Sequence, residues 1–178
     1  MRKIVYYVAT SLDGFISGLN GDISGFVGTG NGLKKYLSDL KKFDTVIMGK
    51  NTYEFGYKFG LEPGQNPYQH MLTYIFSNSL ELENADPNVQ IKNINLEEIE
   101  KIQNQSGSDI YLCGGGQFAG WLLDNQKIDF LKLKLNPLIL GQGVKLFGNS
   151  ILSSKTELID SELYDNGLQF MTYKILKS

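Results

Sequence analysis

The sequence predicts a single α/β domain over residues 1–178, built on a mostly parallel sheet that finishes in an antiparallel C-terminal hairpin. Three observations predict it. Runs rich in Val, Ile, Tyr and Leu recur at 3–9, 44–48, 72–77, 89–94, 110–113 and 128–135, with helical patterns between several of them, the rhythm of parallel strands joined by crossover helices. "LKLKL" at 131–135 alternates apolar and charged residues, as a strand covered on one face does. Finally, "ELYDNGLQFMTYKIL" sets Asn166-Gly167 between two strand-like runs, a strong short-range hairpin signal.

In order along the chain, "MRKIVYYVATSLDGF" breaks at Ser11-Leu12-Asp13-Gly14 with no small-residue cleavage site after it, so it reads as a first strand and not as a leader. Leu33, Tyr36, Leu37 and Leu40 keep i, i+3, i+4, i+7 spacing, which predicts a helix over 32–42 with Asn31 as its N-cap. Asp39 falls on that helix and reads as a surface residue. The Gly-, Pro- and aromatic-rich stretch 54–70 reads as an irregular surface segment. Leu96, Ile99 and Ile102 mark another helix, and Asn95 with Glu98 has the spacing of a capping box.

A hydrophobic content of 42% is enough for one core, and a net charge of −2 from 17 basic and 19 acidic residues offers no basic surface to nucleic acid and no polybasic arm to a membrane. No apolar run approaches the roughly 20 residues that span a bilayer, so a soluble cytoplasmic protein is expected. One cysteine, Cys113, and one histidine, His70, exclude an internal disulfide and the usual His/Cys metal clusters; no metal is expected. His70 reads as a surface or packing residue.

Two junctions carry chemistry. "IYLCGGGQFAGWLL" runs from a strand through Gly114-Gly115-Gly116 into a helical pattern, and "DTVIMGKNTYEFG" runs from a strand through Gly49 into a polar helix start. A strand–glycine–helix junction exposes backbone N–H groups at the positive end of a helix, where an anion binds. Either loop alone could equally be glycine used for close packing. Two in one small sheet could grip the two halves of a dinucleotide. Gly114-x-Gly116-x-x-Ala119 also fits the G-x-G-x-x-A dinucleotide fingerprint, but it lies late in the chain and no acidic residue closes the next strand, which weighs against a Rossmann-type enzyme.

"YVATSLDGFIS", "VIMGKNTYE" and "IYLCGGGQFAGWLL", in this order and with the late hairpin, resemble the dihydrofolate reductase family over essentially the whole chain, within it the branch of the reductase domain of bacterial riboflavin biosynthesis. The resemblance implies a three-layer dihydrofolate reductase-like fold, NADPH as cofactor, hydride transfer to a small, possibly heterocyclic substrate, and a homodimer formed through the late strands. It implies that Gly49, Lys50, Asn51 and Thr52 hold the pyrophosphate and adenine side, and that Ser77 and Asn78 sit at the adenosine 2′-phosphate. Gly114, Gly115, Gly116, Gln117 and Phe118 would form the second phosphate and nicotinamide loop, often with a cis peptide between its first two glycines. The backbone carbonyls of Ala9 and Ile16 would receive the carboxamide, with 10–22 as a mobile closing loop. Asp13 is the candidate catalytic group, assisting proton delivery, with an Asp-Gly turn as the alternative. Ser77-Asn78 has a polar turn as its alternative. Tyr36, Tyr53 and Cys113 are placed on the substrate side, with core packing as the alternative for the tyrosines, and Cys113 reads as a small buried hydrophobe ending a strand in preference to a reactive thiol.

The chain departs from these relatives at three points, one of them "FGYKFGLEPG" in place of the Asp-x-Pro element that riboflavin-pathway reductases show after the first glycine motif. "GNGLKKYL" has no carboxylate where folate-reducing members carry one, and Cys113 stands where riboflavin-pathway reductases show Glu. Dihydrofolate reductase proper is therefore a weaker alternative, and a nucleotide-binding module or sensor that has lost catalysis is the rival from another class.

Overall fold

In the computed structural model, which describes residues 1–177, the chain forms β1 (Ile4–Thr10), β2 (Phe15–Ser17), α1 (Asn31–Leu40), β3 (Thr45–Gly49), α2 (Lys50–Phe55), β4 (Leu72–Phe76), β5 (Val89–Lys92), α3 (Leu96–Gln103), β6 (Ile110–Gly114), α4 (Gly116–Asp124), β7 (Phe130–Leu135), β8 (Val144–Lys145), β9 (Thr156–Leu163) and β10 (Gln169–Ile175). Short 3-10 turns lie at Leu19–Gly21, Gly56–Phe59 and Asp165–Gly167. Eight strands make one sheet in the order β5-β4-β3-β6-β1-β7-β10-β9. The pairs from β5 to β7 are parallel; β10 and β9 then close the sheet antiparallel. This is the expected α/β architecture, and the Asn166-Gly167 turn does join its terminal hairpin.

Alternation along the strands builds the three layers. Tyr6, Ile47, Phe76 and Leu112 point to one face, under Ile99 and Ile102 of α3 and Phe118, Ala119 and Leu122 of α4. Val5, Tyr7, Met48 and Tyr111 point to the other, under Leu40 of α1 and Tyr53 of α2. Burying each such side chain stabilises the fold by about 1.5–3 kcal/mol.

Asn95 caps α3 by accepting the Glu98 N–H at 2.9 Å, but the box is half made, because Glu98 turns its carboxylate to Lys101 at 2.8 Å. Asn31 is not a cap: it is the first residue of α1, after Gly30, whose position has no side chain to offer.

Asp39 is not on the surface. It is 3% exposed and accepts from Lys35 and Lys132 at 2.6 Å, Lys42 at 3.0 Å and the Tyr7 hydroxyl at 3.2 Å. The charged face of β7 is thus covered by α1, and "LKLKL" is buried from both sides. The stretch 54–70 is only partly irregular, since α2 and a 3-10 turn occupy its first part. A two-stranded sheet, β2 with β8, lies apart from the main one.

Candidate active site

The two glycine junctions fold side by side. β3 and β6 are neighbours, paired so that Met48 opposes Gly114, and each strand ends by turning directly into a helix. Gly49 is the N-cap of α2 and Gly115 that of α4, and neither helix start receives a side-chain cap, in contrast to α3 with its Asn95. The first-turn N–H groups are left for an external acceptor.

The glycines are required by the approach of the two loops. A Cβ on Gly115 would stand 2.8 Å from the Thr52 hydroxyl, and one on Gly49 would stand 3.1 Å from the Cβ of Phe118. A side chain on Gly116 would strike the Lys145 carbonyl, so the segment after β8 packs on the start of α4. The Gly114–Gly115 peptide is cis. Lys50 opens α2 and lies 3.7 Å from Glu54, Asn51 and Gln117 are exposed, and Thr52 is half-buried between the loops. This constellation suits a pyrophosphate.

Other predicted residues are placed differently. The Phe118 ring is buried and stacked on Phe76 with centroids 4.9 Å apart, so only its backbone faces outward chemistry. The Ser77 hydroxyl accepts the N–H groups of Ser79 and Leu80 at 3.1 and 3.0 Å and closes a turn after β4, and the Asn78 carbonyl oxygen accepts the Ile94 N–H at 2.9 Å, which ties that turn to the segment after β5. Ala9 lies near the end of β1 and Ile16 in β2, which doubles back on β1 through the Ser11 N–H to the Phe15 carbonyl at 2.9 Å.

Asp13 forms a clasp between two loops. Its carboxylate accepts from the Ser11 hydroxyl at 2.6 Å and from the backbone N–H groups of Gly141 and Leu140 at 2.7 and 3.1 Å. The Ser11 hydrogen bond, aided by the two backbone donors, holds its pKa at about 2. The segment expected to move is likewise tied down: β2 pairs with β8, and Lys58 donates to the Asn20 carbonyl at 2.6 Å.

Of the residues predicted for the substrate side, Tyr53 is buried and donates its hydroxyl to the Gln65 carbonyl at 2.8 Å, apart from Tyr36 and Cys113. Tyr36 and Cys113 do come together, through two residues the sequence did not single out. The hydroxyls of Tyr36 and Tyr111 lie 2.8 Å apart, and the Tyr68 hydroxyl lies 3.3 Å from the Cys113 thiol. Tyr68 and Tyr111 meet edge to face at 5.7 Å. Burial raises the pKa of all three tyrosines and of Cys113, so the row is neutral. His70 is exposed, 3.1 Å from the Leu40 carbonyl, away from this row.

Residues 2–170 match the family model of the RibD C-terminal domain. The uncharacterized protein YwjB of Bacillus subtilis is 30% identical over 172 residues, covering 94% of this chain and 95% of its own. Among solved structures, a putative riboflavin biosynthesis protein from Shewanella sp. PV-4 superposes with a TM-score of 0.80 at 26% identity, covering 99% of this chain and all of that one. Dihydrofolate reductase from Enterococcus faecalis, solved with NADP(H), superposes with a TM-score of 0.67 at 15% identity over 98% of this chain and 97% of its own, a likeness of fold.

Proposed function

The chain belongs to the RibD C-terminal domain family, and from that premise we propose that it is an NADPH-dependent reductase acting on a small, heterocyclic substrate of pteridine or ribosylaminopyrimidine type. The observation that carries the reading is the pair of uncapped helix starts at the ends of adjacent strands β3 and β6. In this reading Gly49, Lys50, Asn51 and Thr52 hold one part of the pyrophosphate and Gly114 to Phe118 the other, through backbone N–H groups and the Thr52 hydroxyl. The Ala9 and Ile16 carbonyls take the carboxamide. The Ser77-Asn78 turn, at the end of β4 beside β3, borders the adenosine end.

When bound, the reduced nicotinamide supplies a hydride to an electrophilic C=N or C=O carbon. The residues of this chain supply position and exclusion of water. The clasp from Asp13 to Gly141 keeps segment 11–22 over the end of β1, and the tyrosine row offers hydroxyl donors to the acceptor.

Fluorescence titration with NADPH and NADH tests the reading, followed by NADPH oxidation across pteridines, ribosylaminopyrimidines and simple carbonyls. Binding with NADPH preferred and consumed by one substrate class is expected; no binding of either nucleotide at millimolar concentration overturns it. One observation favours a second reading, a nucleotide-binding module without catalysis: the only acid of the SLDG motif is committed to a loop clasp. NADPH bound tightly and never oxidised would establish that reading.

We also propose a homodimer through β9. This edge strand exposes Leu158, Ile159 and Leu163 at 51%, 53% and 75%, with Ile151 nearby in sequence at 98%. An open apolar edge of this kind is normally covered.

A further inference from the structure

Among the described residues, Lys134 is the one mostly buried charged side chain with no counter-charge within 4.0 Å; its stem is buried while its Nζ keeps contact with solvent. It is 8% exposed, and among the described residues its ammonium has no hydrogen-bond acceptor and no carboxylate within 4.0 Å. Lys132, two residues earlier on the same face of β7, makes the contrast: it reaches Asp39 at 2.6 Å. A buried cation is normally paired, because removing it from water is costly. Burial lowers the pKa of Lys134, as that cost requires.

The acids on its side of the sheet are engaged elsewhere, Glu162, which lies opposite Phe170 on β9, standing 3.5 Å from Lys35 and accepting from Tyr164, and hydroxyl donors lie close by. β7 pairs Lys134 with Ala9 on one side and Phe170 on the other, so it shares the face of Tyr7 and Phe170 near the C-terminal end of β1. Its Nζ lies 5.6 Å from the centre of the Tyr36 ring, whose hydroxyl joins the Tyr111 hydroxyl. The row continues through Tyr68 to Cys113, immediately before the glycine loop. The acidic group nearest in the fold's logic, Asp39, is already shared by Lys35, Lys42 and Lys132.

We infer that Lys134 is the counter-ion for an anionic oxygen on the substrate, so that the site selects a heterocycle or sugar carrying a carboxylate, a phosphate or a ring oxyanion over its uncharged analogue. A charge-assisted hydrogen bond from a half-desolvated ammonium is among the stronger single contacts a pocket can make. The neutral hydroxyls of the tyrosine row add donors and no repulsion. The inference rests on reading the tyrosine row and its end of β7 as the substrate side of the reductase, and it fixes the charge of what binds there.

The test uses the full chain without nucleotide, by calorimetric titration with orotate, barbiturate and ribose 5-phosphate against uncharged uracil and ribose. The expected result is binding of at least one anionic probe about tenfold or more tighter than its neutral partner, with the preference lost in Lys134→Met and retained in Lys134→Arg; which probe binds identifies carboxylate, ring oxyanion or phosphate. Equal binding of charged and neutral probes, persistence of the preference in Lys134→Met, or no binding of any probe overturns it. Should Lys134→Met not fold, heteronuclear NMR of the wild-type lysine ε groups decides: the Lys134 resonance moves on addition of the anionic probe and is unmoved by the neutral one, and a resonance unmoved by both overturns the inference. NADPH titration of the same samples separates the two claims. NADPH bound without anion preference removes the role of Lys134 alone, and anion preference without nucleotide binding removes the reductase reading.

Discussion

Asp39 and Lys132, 93 positions apart in the chain, meet at 2.6 Å across the interface of α1 and β7. Lys35, Lys42 and the Tyr7 hydroxyl converge on the same carboxylate. Removing the acid leaves three ammonium groups around a vacated acceptor, so Asp39→Asn is expected to lower stability by about 3 kcal/mol, read from urea midpoints. Despite its burial, the three lysines hold the Asp39 pKa below its ordinary 3.8. Its contribution is therefore complete above pH 3.8 and lost as pH falls through the depressed folded value. Wild-type stability should drop more steeply in that acid range than that of the variant.

Contact between the glycine loops gives a second prediction. Gly115→Ala places a methyl 2.8 Å from the Thr52 hydroxyl and pushes the loops apart. NADPH affinity is expected to fall about tenfold or more, which is about 1.4 kcal/mol; Thr52→Ala alone also weakens binding by removing a pyrophosphate donor, and the double variant loses less than the sum because the clash is relieved. Fluorescence titration of the two single variants and the double variant checks this.

Tyr53 provides the converse case. Tyr53→Phe deletes only the hydrogen bond to the Gln65 carbonyl, so a loss of about 1 kcal/mol in denaturant midpoint is expected with unchanged NADPH affinity. An altered affinity with unaltered stability would return Tyr53 to the ligand.

Loss of the clasp should loosen the segment it holds. Asp13→Ala is expected to open 11–22 to limited proteolysis and weaken NADPH binding. Asp13→Asn, which keeps one acceptor oxygen, falls between. Because the carboxyl is held at about 2, no step of the wild-type pH profile between 4 and 8 should disappear in Asp13→Asn.

At the open edge, Leu158→Lys with Ile159→Lys is expected to shift the protein to monomer in sedimentation velocity with the melting temperature preserved. A wild-type monomer would exclude the β9 dimer outright.

Strands and glycine junctions were legible because their signals are local: apolar runs, and Gly where backbone must approach backbone. Asn95 could be read for the same reason, its partner being three residues away. Asp39 could not, since helical spacing says which face a residue is on but not that Lys132 will cover it. The signal that bore on Lys134 was already in "LKLKL", where a strand alternating in this way faces solvent only if no helix lies on its polar side. Asp13 shows another limit: the motif singled out the residue, while its partners, the N–H groups of Gly141 and Leu140, carry no side-chain signature.

Because strand alternation sends Tyr6 and Leu112 to one side and Tyr7 and Tyr111 to the other, the sheet divides this protein into two inventories that can change independently. Residues on the α4 side fix the Gly114–Gly116 loop through Phe118 and Phe76, whereas those on the α1 side carry the tyrosine row and Tyr53 of α2. A lineage could rewrite the second set position by position, exchanging one acceptor molecule for another, without touching the packing beneath the first. Directed evolution for new acceptors should therefore concentrate its successes at odd-numbered positions of β1 and β6 and at even-numbered positions of β7.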